Sequence, residues 1–153
     1  MMSINFAVMF FYGQSGNATW YYHTQTTVHW DDFIKVSAAG FANARPGDVT
    51  ITIAFKVDPP NAPQRKKLSD LLNANPDVKK VAYHAFVTDS RLTASVNTAV
   101  NWISNKPWQE KTFVAPPAAF EWLARVSPNF DSKGVSADIL ARVPPEHLWP
   151  ALR

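Results

Sequence analysis

The run Lys80–Leu123, KVAYHAFVTDSRLTASVNTAVNWISNKPWQEKTFVAPPAAFEWL, alternates two strand-like and two helix-like segments with turn chemistry between them. Val81 to Val87 is a nearly unbroken apolar run, the pattern of a strand covered on both faces. Thr88, Asp89 and Ser90 follow, and their side-chain oxygens suit the exposed amides at a helix start. Leu92, Val96, Ala99, Val100 and Ile103 then recur at helical spacing and make one apolar stripe. Asn105 to Pro107 ends that helix, and Thr112 to Ala115 reads as a second, short strand. Pro116 and Pro117 open the next helix, where a missing N–H costs nothing, and Phe120, Trp122 and Leu123 give it apolar content. Strand, helix, strand, helix with short links implies parallel strands joined by a right-handed crossover.

Towards the N-terminus, Ile4 to Tyr12 reads as a strand, Gly13-Gln14-Ser15-Gly16-Asn17 as a turn, and Thr19 to Thr24 as the returning strand of an antiparallel hairpin. Thr26 or Thr27 caps a helix with Asp31 and Asp32 in its first turns, where acidic groups suit the helix dipole. Trp30, Phe33, Ile34, Ala38 and Phe41 share one face of it. Val49 to Val57, VTITIAFKV, is the clearest strand, opening with apolar residues alternating with Thr50 and Thr52. Asp58-Pro59-Pro60-Asn61 is a rigid loop before a helix with Pro63 near its start and Leu68, Leu71 and Leu72 on its apolar side. Beyond Ser127-Pro128 a short helix spans Val135 to Arg142, then Pro144-Pro145 and EHLWPALR. The fold class is α/β: a mixed, mostly parallel sheet of about five strands with an N-terminal hairpin and about four helices. Residues 1–126 form this domain, and 127–153 a C-terminal tail docked on it.

A chain of 153 residues can bury a real core, and its 46% apolar content is ordinary for a globular protein. The start MMSINFAVMFFYGQ lacks the basic flank of a signal peptide, and no apolar run spans a bilayer, which predicts a cytoplasmic protein. With no cysteine, disulfides, thiolate metal sites and cysteine nucleophiles are excluded. A net charge of +3, scattered along the chain, does not point to nucleic acid.

The element order resembles the STAS domain, shared by anti-sigma-factor antagonists and the cytoplasmic ends of sulfate transporters. VAYHAFVTDSRLTASVNTAVNWI and TFVAPPAAFEWL are similar to the last two strand–helix units of that family, and the resemblance covers about residues 4 to 126. It implies a sheet with helices on one side that offers loops and a helix face to a protein partner. Some members switch by phosphorylation of a serine where the third strand meets the second helix. Here that loop is DPPNAPQRKK, with no serine or threonine before Ser69, so this switch is not expected.

Asp89-Ser90-Arg91 lies beyond a strand's carboxyl end, where open α/β sheets bind ligands, and helix-start amides with Arg91 could hold an anion there. Plain capping by Asp89 or Ser90 is the simpler account. Asp58 and Asn61 belong to the same rim, and Arg65, in the basic segment that follows, could contact phosphates or an acidic partner. Trp108 and Trp149, beside prolines, are candidate contact residues, although Trp149 could instead pin the tail to its own domain. Trp30, Trp102 and Trp122 read as core. His23, His29 and Asp31 could be imagined as metal ligands, but a strand end and a helix start need not converge, and His23 reads as an exposed strand position. His84 lies within a buried strand that offers it no orienting partner, so it reads as a hydrogen-bonded core or sheet-edge histidine. His147 reads as solvent-facing. The basic stretch Arg65 to Lys67, with Lys79 and Lys80, reads as a solvated face. No nucleophile elbow, P-loop or dinucleotide loop occurs, and no cofactor or metal is expected.

Two functions remain. The first is a non-catalytic module binding a protein partner through Asp58, Asn61, Arg65, Asp89, Ser90, Arg91, Trp108 and Trp149. The second is a pocket protein, or small enzyme, for an apolar ligand, with a cavity near Trp102 or Tyr83 and His84 or Asp89 as polar handle. Self-association through the N-terminal edge strand is a further expectation.

Overall fold

A computed structural model describes residues 10–24, 30–103 and 106–153, without the side chains of 99–103. Strands β1 (Phe10–Ser15), β2 (Ala18–His23), β3 (Asp48–Ala54), β4 (Val81–Thr88) and β5 (Gln109–Phe113) form one five-stranded sheet in chain order. β1 and β2 pair antiparallel, and each later neighbouring pair is parallel. Helices α1 (Trp30–Asn43), α2 (Ala62–Ala74), α3 (Arg91–Ile103) and α4 (Pro116–Val126) complete the expected alternation, and α5 (Ser132–Arg142) is the helix of the tail. Short 3-10 turns occupy Pro76–Lys80, Pro145–His147 and Pro150–Leu152.

Local chemistry explains where the elements start and stop. The hairpin turn is tighter than GQSGN suggests, because Gly13, Gln14 and Ser15 belong to β1 and only Gly16 and Asn17 turn the chain. Gly16 has φ 59°, a left-handed conformation that glycine adopts freely, so two residues suffice to reverse the strand. Asn61 caps α2 in a reciprocal box: its side chain accepts from Gln64 N, and the Gln64 side chain accepts from Asn61 N. Thr26, Thr27 and the segment before Phe10 lie outside the described residues. β5 begins at Gln109, three residues before the expected Thr112, and Val114 lies beyond it, 82% exposed.

Alternation on the strands builds two faces. Ala18, Trp20 and Tyr22, then Val49, Ile51 and Ile53, then Ala85 and Val87 share one cluster with Phe120, Trp122 and Leu123 of α4 and Val135 and Ile139 of α5. Phe130, Val143, Leu148, Trp149 and Leu152 join the same cluster, so the tail is part of the main core. The opposite face carries Tyr21 and His23 and packs against Trp30 and Phe33 of α1. Phe41, Leu72 and Val78 pack beside it. Helices therefore cover both faces, unlike the one-sided cover that the resemblance to STAS domains implies. Leu92 is 62% exposed rather than part of α3's inner stripe; Thr93, buried beneath it, takes the inward position.

β1 is a sheet edge, as self-association through it would require, and α5 packs against it. Among the described residues, no helix is long and apolar enough to cross a membrane.

Candidate functional site

Thr50 and Thr52 alternate with the apolar residues of β3 and point to the face under α1, α2 and α3. A strand covered on both faces has no need of hydroxyls for packing, and here they floor a cavity. It is partly open and holds about 100 Å³ of free space. Its α1 wall is Trp30, Phe33, Ser37 and Phe41, and its α2 wall Leu68, Leu71 and Leu72. α3 contributes Thr93, Val96 and Asn97; the sheet adds Tyr21, His23, His84 and Phe86; Lys106 and Trp108 close one side.

One polar network stands in this apolar shell. Thr52 Oγ1 lies 2.8 Å from His84 Nε2, and His84 Nδ1 lies 2.6 Å from Glu110 Oε1. His84 and Glu110 are register partners on β4 and β5. Lys106 Nζ at 3.1 Å and Trp108 Nε1 at 3.0 Å also donate to Glu110 Oε1, and Asn97 Nδ2 donates to Oε2 at 2.8 Å. The Lys106 and Glu110 side chains are only 8% and 10% exposed. Burial by itself would raise the Glu110 pKa, but His84 and Lys106 beside it and the donated hydrogen bonds hold it well below the ordinary carboxylate range. Burial lowers the Lys106 pKa, with Glu110 opposing that shift. An ionised carboxylate only accepts, so His84 Nδ1 carries a hydrogen. In the tautomer that carries this one hydrogen, Nε2 accepts from the Thr52 hydroxyl.

Hydroxyl, imidazole and carboxylate in line is the spacing that activates a nucleophile. Here, however, Glu110 is shared among at least four donors and paired with an ammonium. That weakens its support for a charged imidazole and favours a fixed polar floor.

The far wall is also polar at one point. Ser37 is 3% exposed, and its Oγ makes no hydrogen bond of good geometry. The Tyr21 hydroxyl is its neighbour; burial pushes the Tyr21 pKa up to about 12, and Ser37 partly offsets that. Gly40 admits this phenol, since a Cβ there would lie 2.5 Å from the Tyr21 oxygen. His23 is not exposed but buried, its ring 4.6 Å from Phe33, and burial lowers its pKa to about 4.

The rim residues converge less. Asp89 Oδ1 accepts from Lys56 N at 2.9 Å, and Thr93 Oγ1 donates to Val57 O at 3.0 Å, which ties the loops after β3 and β4 together. Ser90 Oγ accepts from Thr93 N, the plain cap, while Asn61 is the α2 cap and Arg65 Nη1 donates to Pro60 O. Asp58 and Arg91 are exposed beside them. Trp108 lies instead on the cavity wall, stacked on Phe41 with centroids 5.9 Å apart. Trp149 is 7% exposed and stacks on Phe55 at 4.8 Å; the tail-pinning alternative describes it. Tyr83 packs edge-on against Trp122, on the side of the sheet away from the cavity. The Trp102 side chain and His29 lie outside what is described, and Asp31 is exposed and paired with Lys67. Among the described residues no group of three metal-ligating side chains converges.

Sequence reasoning misses this network because it places Glu110 in the loop before β5. The signal that could have found it is alternation, with Glu110 two residues before Thr112 on one face of an extended QEKTF. No protein-family model, curated protein or solved structure matches the chain.

Proposed function

We propose that the protein binds a small apolar molecule in the cavity between the sheet and α1, α2 and α3. The supporting observation is about 100 Å³ of free space walled by aromatic and aliphatic side chains. Protein interiors are close-packed, so such a space between the sheet and its helices is a candidate binding site. An apolar cavity of about 150 Å³ accommodates benzene, so this one takes a small ring or a short branched chain with slight wall movement.

Trp30 and Trp108 line the cavity, so tryptophan fluorescence reports its filling. Titration with benzene, toluene, phenol and cyclohexanol gives a saturable change that Val96→Phe, which fills the space, abolishes. If none of the four saturates, or Val96→Phe leaves the affinity unchanged, the reading fails. Turnover of p-nitrophenyl acetate that disappears in Thr52→Val would make the protein a hydrolase instead.

A second reading, docking of a protein partner on the rim, is supported by the tying of two loops into one edge. Lys56, at φ 55°, is held there by Asp89, with Asp58 and Arg91 exposed alongside. The resemblance to STAS domains supports the same surface. A partner recovered from the native host is lost with Arg91→Ala; undiminished recovery would sink this reading.

A further inference from the structure

The polar atoms of the cavity narrow the chemistry of its occupant. Glu110 fixes a hydrogen of His84 on Nδ1, and in the tautomer with Nε2 bare the Thr52 hydroxyl gives its own hydrogen to Nε2. Thr52 Oγ1 therefore turns lone pairs, and no hydrogen, towards the cavity it lines. On α1, Ser37 Oγ is buried, with the Tyr21 hydroxyl beside it but no hydrogen bond of good geometry, and it can still donate or accept. A buried hydroxyl without a well-formed hydrogen bond is uncommon, and a ligand that satisfies it is one way to account for it.

Charge is already matched. The Lys106 ammonium is engaged by Glu110 and lies 5.7 Å above the Trp108 ring, so it occupies the aromatic face that a ligand cation would seek. A ligand carboxylate would have to compete with Glu110 for that same ammonium while losing its own hydration. A hydroxyl meets neither obstacle: its hydrogen goes to Thr52 Oγ1, and its oxygen can accept from Ser37.

We propose that the occupant is a small neutral alcohol or phenol, its hydroxyl donating to Thr52 and its apolar body against the rings of α1. This rests on the pocket reading above. The test compares phenol with toluene, which has nearly the same shape and no hydroxyl, by calorimetry or tryptophan fluorescence. Toluene leaves water more readily, so the informative quantity is how each affinity changes on mutation. Thr52→Val weakens phenol about fivefold or more and leaves toluene within about twofold. Thr52→Ser, which keeps the hydroxyl, retains phenol binding. Should Thr52→Val not fold, Ser37→Ala serves in its place, again with phenol weakened and toluene unaffected.

If both probes bind and neither responds to the substitutions, the pocket reading stands and the hydroxyl assignment is wrong. Failure of both probes to bind the unmodified protein removes both. Benzoate or tetramethylammonium binding more tightly than phenol would also overturn the neutral-hydroxyl assignment.

Discussion

Acid should weaken this fold through His23, well above the range where carboxylates titrate. The imidazole is 5% exposed and packed against the rings of Phe10, Trp30 and Phe33. Burial lowers its pKa from 6.5 to about 4. The unfolded chain therefore takes up a proton before the folded one does. The stability that this group contributes is present above about pH 6.5 and is lost as the pH falls towards 4. Each tenfold difference in proton affinity between the two states is worth about 1.4 kcal/mol. The whole loss is then about 3 kcal/mol, and about 2 kcal/mol of it has gone by about pH 5. Glu110 contributes little between about pH 7.5 and about pH 5, because its stabilising contribution starts to be lost only as the pH falls through the ordinary carboxylate value of 4.5. Urea unfolding at about pH 7.5 and about pH 5, on the unmodified protein and His23→Leu, measures the effect. The unmodified protein loses about 2 kcal/mol between the two conditions and the variant loses under about 0.5 kcal/mol. Equal losses in both would show that His23 does not carry the acid sensitivity.

Three further outcomes follow from single contacts. Tyr22→Phe removes a hydroxyl that donates to His147 O at 2.6 Å and accepts from Trp149 N at 2.7 Å; urea unfolding should show a loss of about 1–3 kcal/mol. Glu110→Gln leaves the buried Lys106 ammonium without its counter-charge and costs about 3 kcal/mol, part of which Lys106→Met restores in the double variant, read as a double-mutant cycle. Asn61→Ala breaks the α2 capping box and lowers the unfolding free energy by about 1 kcal/mol, with no change in ligand affinity by fluorescence titration.

The order of strands and helices is legible in the sequence because each element carries its own periodicity and its own stop signal. Val81–Thr88 is a mostly apolar run buried along most of its length, and Pro116 and Pro117 mark the start of α4 without help from distant residues. The site is not legible in the same way. His84 gains its partner from a neighbouring strand, and whether Glu110 faces it depends on where β5 begins. Nothing local fixes that start, since Gln109–Phe113 is a short edge strand with mostly polar side chains. Likewise His23 reads as exposed because the cover over it, Phe33 and Trp30, comes from the next helix rather than from its own strand. Trp149 carries both readings in sequence, and only the position of Phe55 decides between them.

The closure of the main core also bears on the order in which the molecule folds. Every strand pairs with its neighbour in the chain, so most of the sheet can grow by adding one adjacent unit at a time. Asn17 to Ser127, Trp20 to Asp138 and Tyr22 to Trp149 instead join residues more than a hundred positions apart. Closing so long a loop costs only about 0.6 kcal/mol more per doubling of length, so the final stability suffers little. Non-local contacts slow folding. The C-terminal segment is thus expected to fasten like a buckle over β1 and β2 after the sheet has assembled, covering Trp20 and Tyr22.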